Sequence, residues 1–251
     1  MALSEDLENL LPYLRRYARA LTGMQPEGDL LVRRLLEEIL SGEAIPDAGA
    51  GLRASLFGII TRYQDEHLSR SDILPEPLKL ANRPSRRALL LTAMEGLSAE
   101  ETATALGLDA AEVPALSRQA VSELTTSLAT TAMIIEDEPF IAHDLKGILE
   151  SLGHTVVAIA ATRADAVARA RSHLPALILA DVRLADESSG IAAVADIQAF
   201  DNAPVVFITA YPERLLTGEQ PEPAFLIPKP FSVKTVQAVV CQALLMQQMR
   251  R

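Results

Sequence analysis

Hydrophobic patterning changes character near residue 130. Before it, apolar positions recur three and four residues apart, the period of an amphipathic helix. Leu7, Leu10, Leu11, Leu14, Tyr17, Ala18 and Leu21 predict a helix from a Ser4 cap to about Thr22, closed by Gly23. Leu31, Leu35 and Ile39 predict a second over roughly 27–41, and Leu52, Leu56, Ile59, Ile60 and Tyr63 a third over about 52–70. Pro46 and three glycines make 42–51 a loop, and Pro75, Pro77 and Pro84 make 71–84 a linker. Three more helical stretches follow. One covers about 85–95. The next opens at Ser98 with Glu101 three later and stops at Gly107. The last opens at Asp109 with Glu112 three later and runs to about 128. The short glycine-containing turn between the last two predicts a helix-turn-helix.

A short joint at 128–132 leads into a different rhythm, in which brief apolar runs alternate with helical ones. Strands are predicted near 132–136, 155–159, 177–181, 204–208 and 224–227. Helices are predicted near 139–152, 162–173, 188–200, 212–218 and 232–249. Five such βα units favour a parallel sheet covered by helices on both faces. The strand ends carry the chemistry. The first runs into Glu136-Asp137-Glu138, the third into Asp181, the fourth into Thr209, and the last through Pro228 into Lys229. The carboxyl edge of a parallel sheet is where such folds keep their sites, and Asp181 is the expected centre.

Composition narrows the class. At 251 residues and 49% hydrophobic, the chain suits two domains, each with its own core. No apolar run reaches the length of a membrane span and the start has no basic leader, so the expected location is cytoplasmic. Cys241 is the single cysteine, which excludes an internal disulfide, and the four histidines lack metal-ligand spacing. Net charge is −10. Residues 1–130 hold 13 Lys and Arg against 19 Asp and Glu, and the remainder 10 against 14, so both halves are acidic. The predicted reading helix is acidic too. Asp109-Ala110-Ala111-Glu112-Val113-Pro114-Ala115-Leu116 offers no cation before Arg118, and a proline in the second turn of a helix costs up to ~3 kcal/mol. A DNA reader needs cations for phosphates and donors for base edges, so this composition argues against DNA as partner.

Residues 132–250 resemble the receiver domain of response regulators, with Asp181 at the phospho-accepting position. The strings Phe207-Ile208-Thr209-Ala210-Tyr211-Pro212 and Phe225-Leu226-Ile227-Pro228-Lys229-Pro230-Phe231 are similar to those of PhyR-type response regulators, the anti-anti-sigma factors of bacterial general stress responses. That family places a sigma-factor-like domain before the receiver. Asp29-Leu30-Leu31-Val32-Arg33-Arg34-Leu35-Leu36 and the stretch from Leu52 to Arg62 are similar to sigma region-two helices, although the aromatic and basic residues that hold melted promoter DNA are sparse. The resemblance implies an all-α domain over 1–127 (region-two-like 1–70, linker 71–84, region-four-like 85–127). It also implies a doubly wound, flavodoxin-like receiver over 132–251, with five parallel strands in the order 2-1-3-4-5.

The resemblance also implies roles. Moving a phosphoryl group onto a carboxylate brings negative charges together, which calls for a divalent cation. On the receiver pattern Asp137 and Asp181 bind Mg²⁺ directly, with the backbone carbonyl of Arg183, and Glu136 acts through water. Lys229 pairs with one phosphoryl oxygen and the Thr209 hydroxyl with another. Tyr211 is a candidate switch residue that couples Thr209 to the helix after it. Phe225 sits one position further from Lys229 than the usual switch aromatic, and Leu226 occupies the usual place. Glu138 and Pro139 are expected to start a helix, and Lys229-Pro230 to be cis.

The implied function is a two-component switch without classical enzyme activity. A sensor histidine kinase or phosphotransferase phosphorylates Asp181. Until then the receiver holds the sigma-like domain against the face built from the 212–218 helix, the last strand and the last helix. Release lets that domain sequester a NepR-type anti-sigma factor, which frees a stress sigma factor. The rival is a DNA-binding regulator that works through the helix-turn-helix. No nucleophile–base pair or Gly-rich phosphate loop supports an enzyme beyond phosphoryl acceptance and slow self-hydrolysis.

Overall fold

The computed structural model describes residues 2–47, 51–69, 82–125, 129–184, 189–210, 212–215 and 223–248. Among the described residues the α-helices that come first are α1 (Ala2–Thr22), α2 (Gln25–Ser41), α3 (Leu52–Ser69), α4 (Pro84–Leu89), α5 (Ala99–Leu106) and α6 (Val113–Thr125). Leu14, Tyr17, Leu21, Leu35, Phe57 and Ile60 are fully buried where α1, α2 and α3 meet, each aliphatic side chain contributing about 1.5–3 kcal/mol. The Tyr17 and Phe57 rings meet edge to face with centroids 5.2 Å apart, and the Tyr17 hydroxyl lies 2.9 Å from that of Thr61. Gly58 lets α3 close on α5, since a Cβ there would sit 2.8 Å from the Ala105 carbonyl oxygen.

Two helix starts differ from the sequence pattern. Helix α1 begins at Ala2, ahead of the expected Ser4 cap, and carries Pro12 inside it. Helix α6 begins at Val113, four residues after Asp109, because Asp109 Oδ1 instead accepts from the Ala111 amide in a local turn. Pro114 therefore falls in the first turn, where no amide donor is needed, and it carries no penalty. The acidity of the segment still argues against DNA. Its exposed positions Pro114, Ala115, Arg118, Gln119 and Ser122 offer one cation. The capping box at Ser98 and Glu101 is present as expected, with Glu101 N to Ser98 Oγ 3.1 Å and Ser98 N to Glu101 Oε2 2.8 Å.

After α4 the chain widens into a π-helical turn, Leu90–Met94. The Glu95 amide reaches back to the Leu90 carbonyl (3.1 Å), and the last carbonyls of the turn are taken by side chains from three other elements. Ala93 O accepts from Thr235 Oγ1 (2.6 Å), Met94 O from Arg16 Nη2 (2.9 Å) and Glu95 O from Arg53. The Glu95 carboxylate also holds the buried Arg16 in a two-point pair of 3.0 and 2.8 Å. This turn joins the early helices to the second half of the chain.

That second half is a doubly wound sheet: β1 (Thr131–Ile135), β2 (Thr155–Ala160), β3 (Leu177–Asp181), β4 (Val205–Thr209) and β5 (Phe225–Pro228). All pairings are parallel, in the order β2-β1-β3-β4-β5. The strand side chains alternate between two cores. Ile134, Leu179, Ile208 and Ile227 face α7 (Pro139–Ser151) and α10 (Val233–Gln248). Met133, Ile178, Ala180 and Phe207 face α8 (Arg163–His173) and α9 (Gly190–Gln198).

Helix α10 is buried around its circumference, as a helix enclosed on all sides must be. Val236, Val239, Val240, Cys241, Ala243 and Met246 are all buried, in one core that spans both halves of the chain. One flank packs on β4, β5 and α7, the other on α1, α6 and the π-helical turn. Gln242 Nε2 donates to Ala20 O (2.9 Å), and Met246 fills the space a side chain at Gly23 would need. Among the described residues no helix is long and apolar enough to cross a membrane.

Candidate functional site

The carboxyl ends of β1, β3, β4 and β5 bring four polar residues to one edge. Asp181 ends β3 and Thr209 ends β4, both buried. Glu136 directly follows β1 with its side chain fully buried, and Lys229 follows β5. Lys229 Nζ lies 2.7 Å from Asp181 Oδ2, 3.0 Å from Glu136 Oε2 and 3.4 Å from Glu138 Oε1. The Lys229 amide donates to Thr209 O (2.7 Å), which ties the lysine to the β4 end, and the Lys229–Pro230 peptide is cis.

Behind Asp181 the chain doubles back tightly. Arg183 N donates to Asp181 Oδ1 (3.3 Å), Arg183 pairs with Ser189, and Gly190 N donates to Val182 O (3.0 Å). Glycine is required at 190, since a Cβ there would lie 1.7 Å from the Asp181 carbonyl oxygen. The carboxyl edge is thereby fixed from both sides.

Burial is the largest influence on Glu136. It lifts the carboxyl to about 7, opposed by the Lys229 hydrogen bond and reinforced by the Asp181 charge. Burial also opposes the Lys229 charge, but its hydrogen bonds to Asp181 and Glu136 outweigh that and raise its pKa. Lys229 is therefore a firm cation facing three carboxylates.

Of the residues singled out in the sequence, Asp181, Glu136 and Lys229 converge, and Thr209 stands at the adjacent strand end. Arg183 lies in the return loop. Among the described residues the converging carboxylates are Glu136, Glu138 and Asp181, with ligand oxygens within 4.8 Å of one another. Asp137 is half-buried between the two glutamates and is not one of this group. Glu138, expected only to start a helix, does flank α7, but its side chain makes no cap and turns to Lys229 instead. Tyr211 lies outside the described residues, and Phe225 and Leu226 are both buried. The donor set suits a hard divalent cation. It consists of carboxylate oxygens, one of them, Glu136 Oε2, buried and without a hydrogen-bond donor.

Comparison with known proteins agrees over the whole chain. Residues 7–61 match the family model for the Sigma2 domain of PhyR, 80–126 that for the PhyR sigma-like domain, and 132–240 that for the response regulator receiver domain. The phyllosphere-induced regulator PhyR of Methylorubrum extorquens is 46% identical over 260 residues, covering 100% of this chain and 97% of that protein. The chain belongs to the PhyR family. It is thus a member of a response regulator family rather than of a family of classical enzymes. The anti-anti-sigma factor PhyR of Bartonella quintana superposes with a TM-score of 0.88 at 42% identity, covering 99% of this chain and 98% of that one. The Bartonella protein has also been solved complexed with the anti-sigma factor NepR (45% identity, TM-score 0.43, 96% of this chain and 98% of that one).

Proposed function

We propose that Asp181 accepts a phosphoryl group from a sensor histidine kinase or phosphotransferase and thereby releases the helical domain to bind a NepR-type anti-sigma factor. The observation that carries this is the placement of Lys229 2.7 Å from Asp181 on the same half of the chain whose last helix, α10, is buried against the helical domain. In the transfer a bond forms between an Asp181 oxygen and phosphorus, while the donor's nitrogen–phosphorus bond breaks and its imidazole is regenerated. Asp137, Asp181 and the Arg183 carbonyl would hold Mg²⁺, with Glu136 reaching it through water. Bound there, the cation offsets the charge gathered around the phosphoryl oxygens. Lys229 pairs with one such oxygen and the Thr209 hydroxyl with another, and Tyr211 couples Thr209 to the following helix. Water then removes the phosphoryl group slowly.

The division into a helical domain over 1–127 and a receiver over 132–251 follows the same reading. So does a cytoplasmic site of action. A phosphoryl group adds about −1.5 to −2 charge at the β3 end, enough to bias a contact held by α10. Membership of a family whose Bartonella member is solved with NepR supports the choice of partner.

The test is affinity for the NepR-type partner with and without a phosphoryl donor and Mg²⁺. The donor is expected to tighten wild-type binding tenfold or more, about 1.4 kcal/mol, and to leave Asp181→Ala unchanged. Absence of binding by either protein in any state sinks the proposal.

A further inference from the structure

Four arginines are buried among the described residues, and three of them are paired in the same way. Arg16 donates to Glu95, Arg19 to Asp29 and Arg87 to Asp65, each through two hydrogen bonds to one carboxylate. Arg86 is the exception. It lies on α4, 5% exposed, with no ion pair among the described residues and with its Nε buried and unpartnered. Glu123 of α6 attracts it from beyond ion-pair range but stands 3.8 Å from Arg83, whose like charge acts against Arg86. The group that meets Arg86 on α10 is the Cys241 thiol, itself 1% exposed. Burial pushes that thiol up to about 12, so it is neutral and supplies no counter-charge. The consequence is visible in the guanidinium. Burial holds Arg86 below its ordinary pKa, whereas in Arg16 the charge and hydrogen bonds of Glu95 outweigh burial and raise it.

We propose that Arg86 is a built-in opposing charge at the contact between α4 and α10, which keeps the docked receiver easy to release. A guanidinium taken out of water without a counter-charge raises the free energy of whichever state encloses it. Cys241 belongs to α10, so the cover over Arg86 on that side departs when the helix does, and water returns to the charge. The docked state bears the burden and the released state does not. Leu89, Leu90, Val239 and Val240 lie in the one apolar core that holds the two halves together. Apolar attraction and a stranded charge therefore act in opposite directions at one contact. Their small difference is what a ligand or a phosphoryl group has to overcome. The inference rests on the proposed release of the helical domain and names a residue that sets how readily it happens.

Cys241 provides the measurement, because it is the single cysteine of the chain and is buried at this contact. A buried thiol reacts only when its cover opens. The rate of alkylation by N-ethylmaleimide, followed by mass spectrometry on the full chain without partner, therefore reports undocking. Each rate is divided by that of the same variant unfolded in urea, which removes differences in intrinsic reactivity. Arg86→Met, which keeps the length and removes the charge, is expected to slow alkylation at least fivefold and to raise the urea midpoint. Arg86→Lys keeps the charge and should not slow it. A phosphoryl donor with Mg²⁺ should speed alkylation of the wild type and leave Asp181→Ala unchanged. If the donor speeds the wild type but Arg86→Met slows alkylation by less than twofold, the role of Arg86 is refuted while release stands. Equal slowing by Arg86→Met and Arg86→Lys also refutes it, since the charge is then not the cause. If Arg86→Met slows alkylation while the donor leaves the wild type unchanged, Arg86 opposes docking and the phosphorylation reading fails.

Discussion

Two clusters in this molecule pair cations with carboxylates, and they are built in opposite ways. Arg16 and Glu95 are sealed, 3% and 0% exposed, with equal charge and three hydrogen bonds at 2.8–3.0 Å counting that to Met94 O. Lys229 stands at an open sheet edge with one positive charge against three carboxylates. A balanced, enclosed pair has finished its work when the chain folds. An unbalanced, accessible one keeps carboxylates within reach of solvent. Charge balance together with access separates scaffold from site here, whereas burial alone does not, since Glu136 is as buried as Glu95.

The largest expected effect breaks the sealed pair. Glu95→Ala leaves Arg16 enclosed with the Met94 carbonyl and the Tyr13 ring but no counter-charge, and loss of one member of a buried pair costs about 3–5 kcal/mol. Lys229→Met should cost about 2 kcal/mol, because the open edge admits water and Glu136 can take up a proton. Urea midpoints measured with and without Mg²⁺ test the contrast. Mg²⁺ is expected to recover much of the Lys229→Met loss and none of the Glu95→Ala loss. Equal recovery in both variants would erase the distinction.

The two clusters also differ in how far the sequence announces them. Strand ends are legible because a short apolar run has a direction, and parallel topology sends each end to one edge. The sequence therefore brings Asp181, Thr209 and Lys229 to one sheet edge. The helical first half was legible from its three- and four-residue period, whereas the order of the five strands followed only from the resemblance to receiver domains. Arg16 and Glu95 lie 79 positions apart on two helices, and no period or motif links them. The π-helical turn was equally silent, since Leu90–Met94 reads as ordinary helix until Thr235, Arg16 and Arg53 claim its carbonyls. The start of α6 was misplaced for a local reason: Asp109 followed by Glu112 resembles a cap, but Asp109 closes a turn one residue too early.

A smaller effect tests whether the receiver's last helix restrains the helical half through that turn. Thr235 Oγ1 donates to Ala93 O, while the Thr235 amide is held separately by Ser232. Thr235→Val keeps the local amide bond and removes the bridge. Ala93 O then loses this partner while α10 stays docked, and because the site is only partly buried the cost lies near the lower end of the ~1–3 kcal/mol of an unpaired buried carbonyl. Docking should weaken, and affinity for a NepR-type partner without phosphoryl donor should rise about fivefold or more. An unchanged donor-free affinity would show that this bond does not restrain the domain.

The smallest effect lies in the dependence of stability on pH, where two buried groups pull in opposite directions. Glu136 titrates near 7 in the folded chain against an ordinary 4.5. Between those values the native state holds a proton that the unfolded chain has lost, so this group's contribution to stability falls as pH rises from about 4.5 to 7. His154 behaves oppositely. It is 4% exposed, its Nδ1 accepts from the Thr130 amide at 3.2 Å, and burial holds its pKa below the ordinary 6.5. There the unfolded chain binds the proton more readily, so stability is lost as pH falls below 6.5. In metal-free buffer the two slopes oppose one another in the wild type below pH 6.5. Glu136→Gln should leave stability falling on acidification, and His154→Gln should leave it rising. Urea midpoints at pH 5, 6 and 7 decide the matter. If both variants parallel the wild type, neither group is titrating as its surroundings require, and the electrostatic contrast between edge and interior loses its second support.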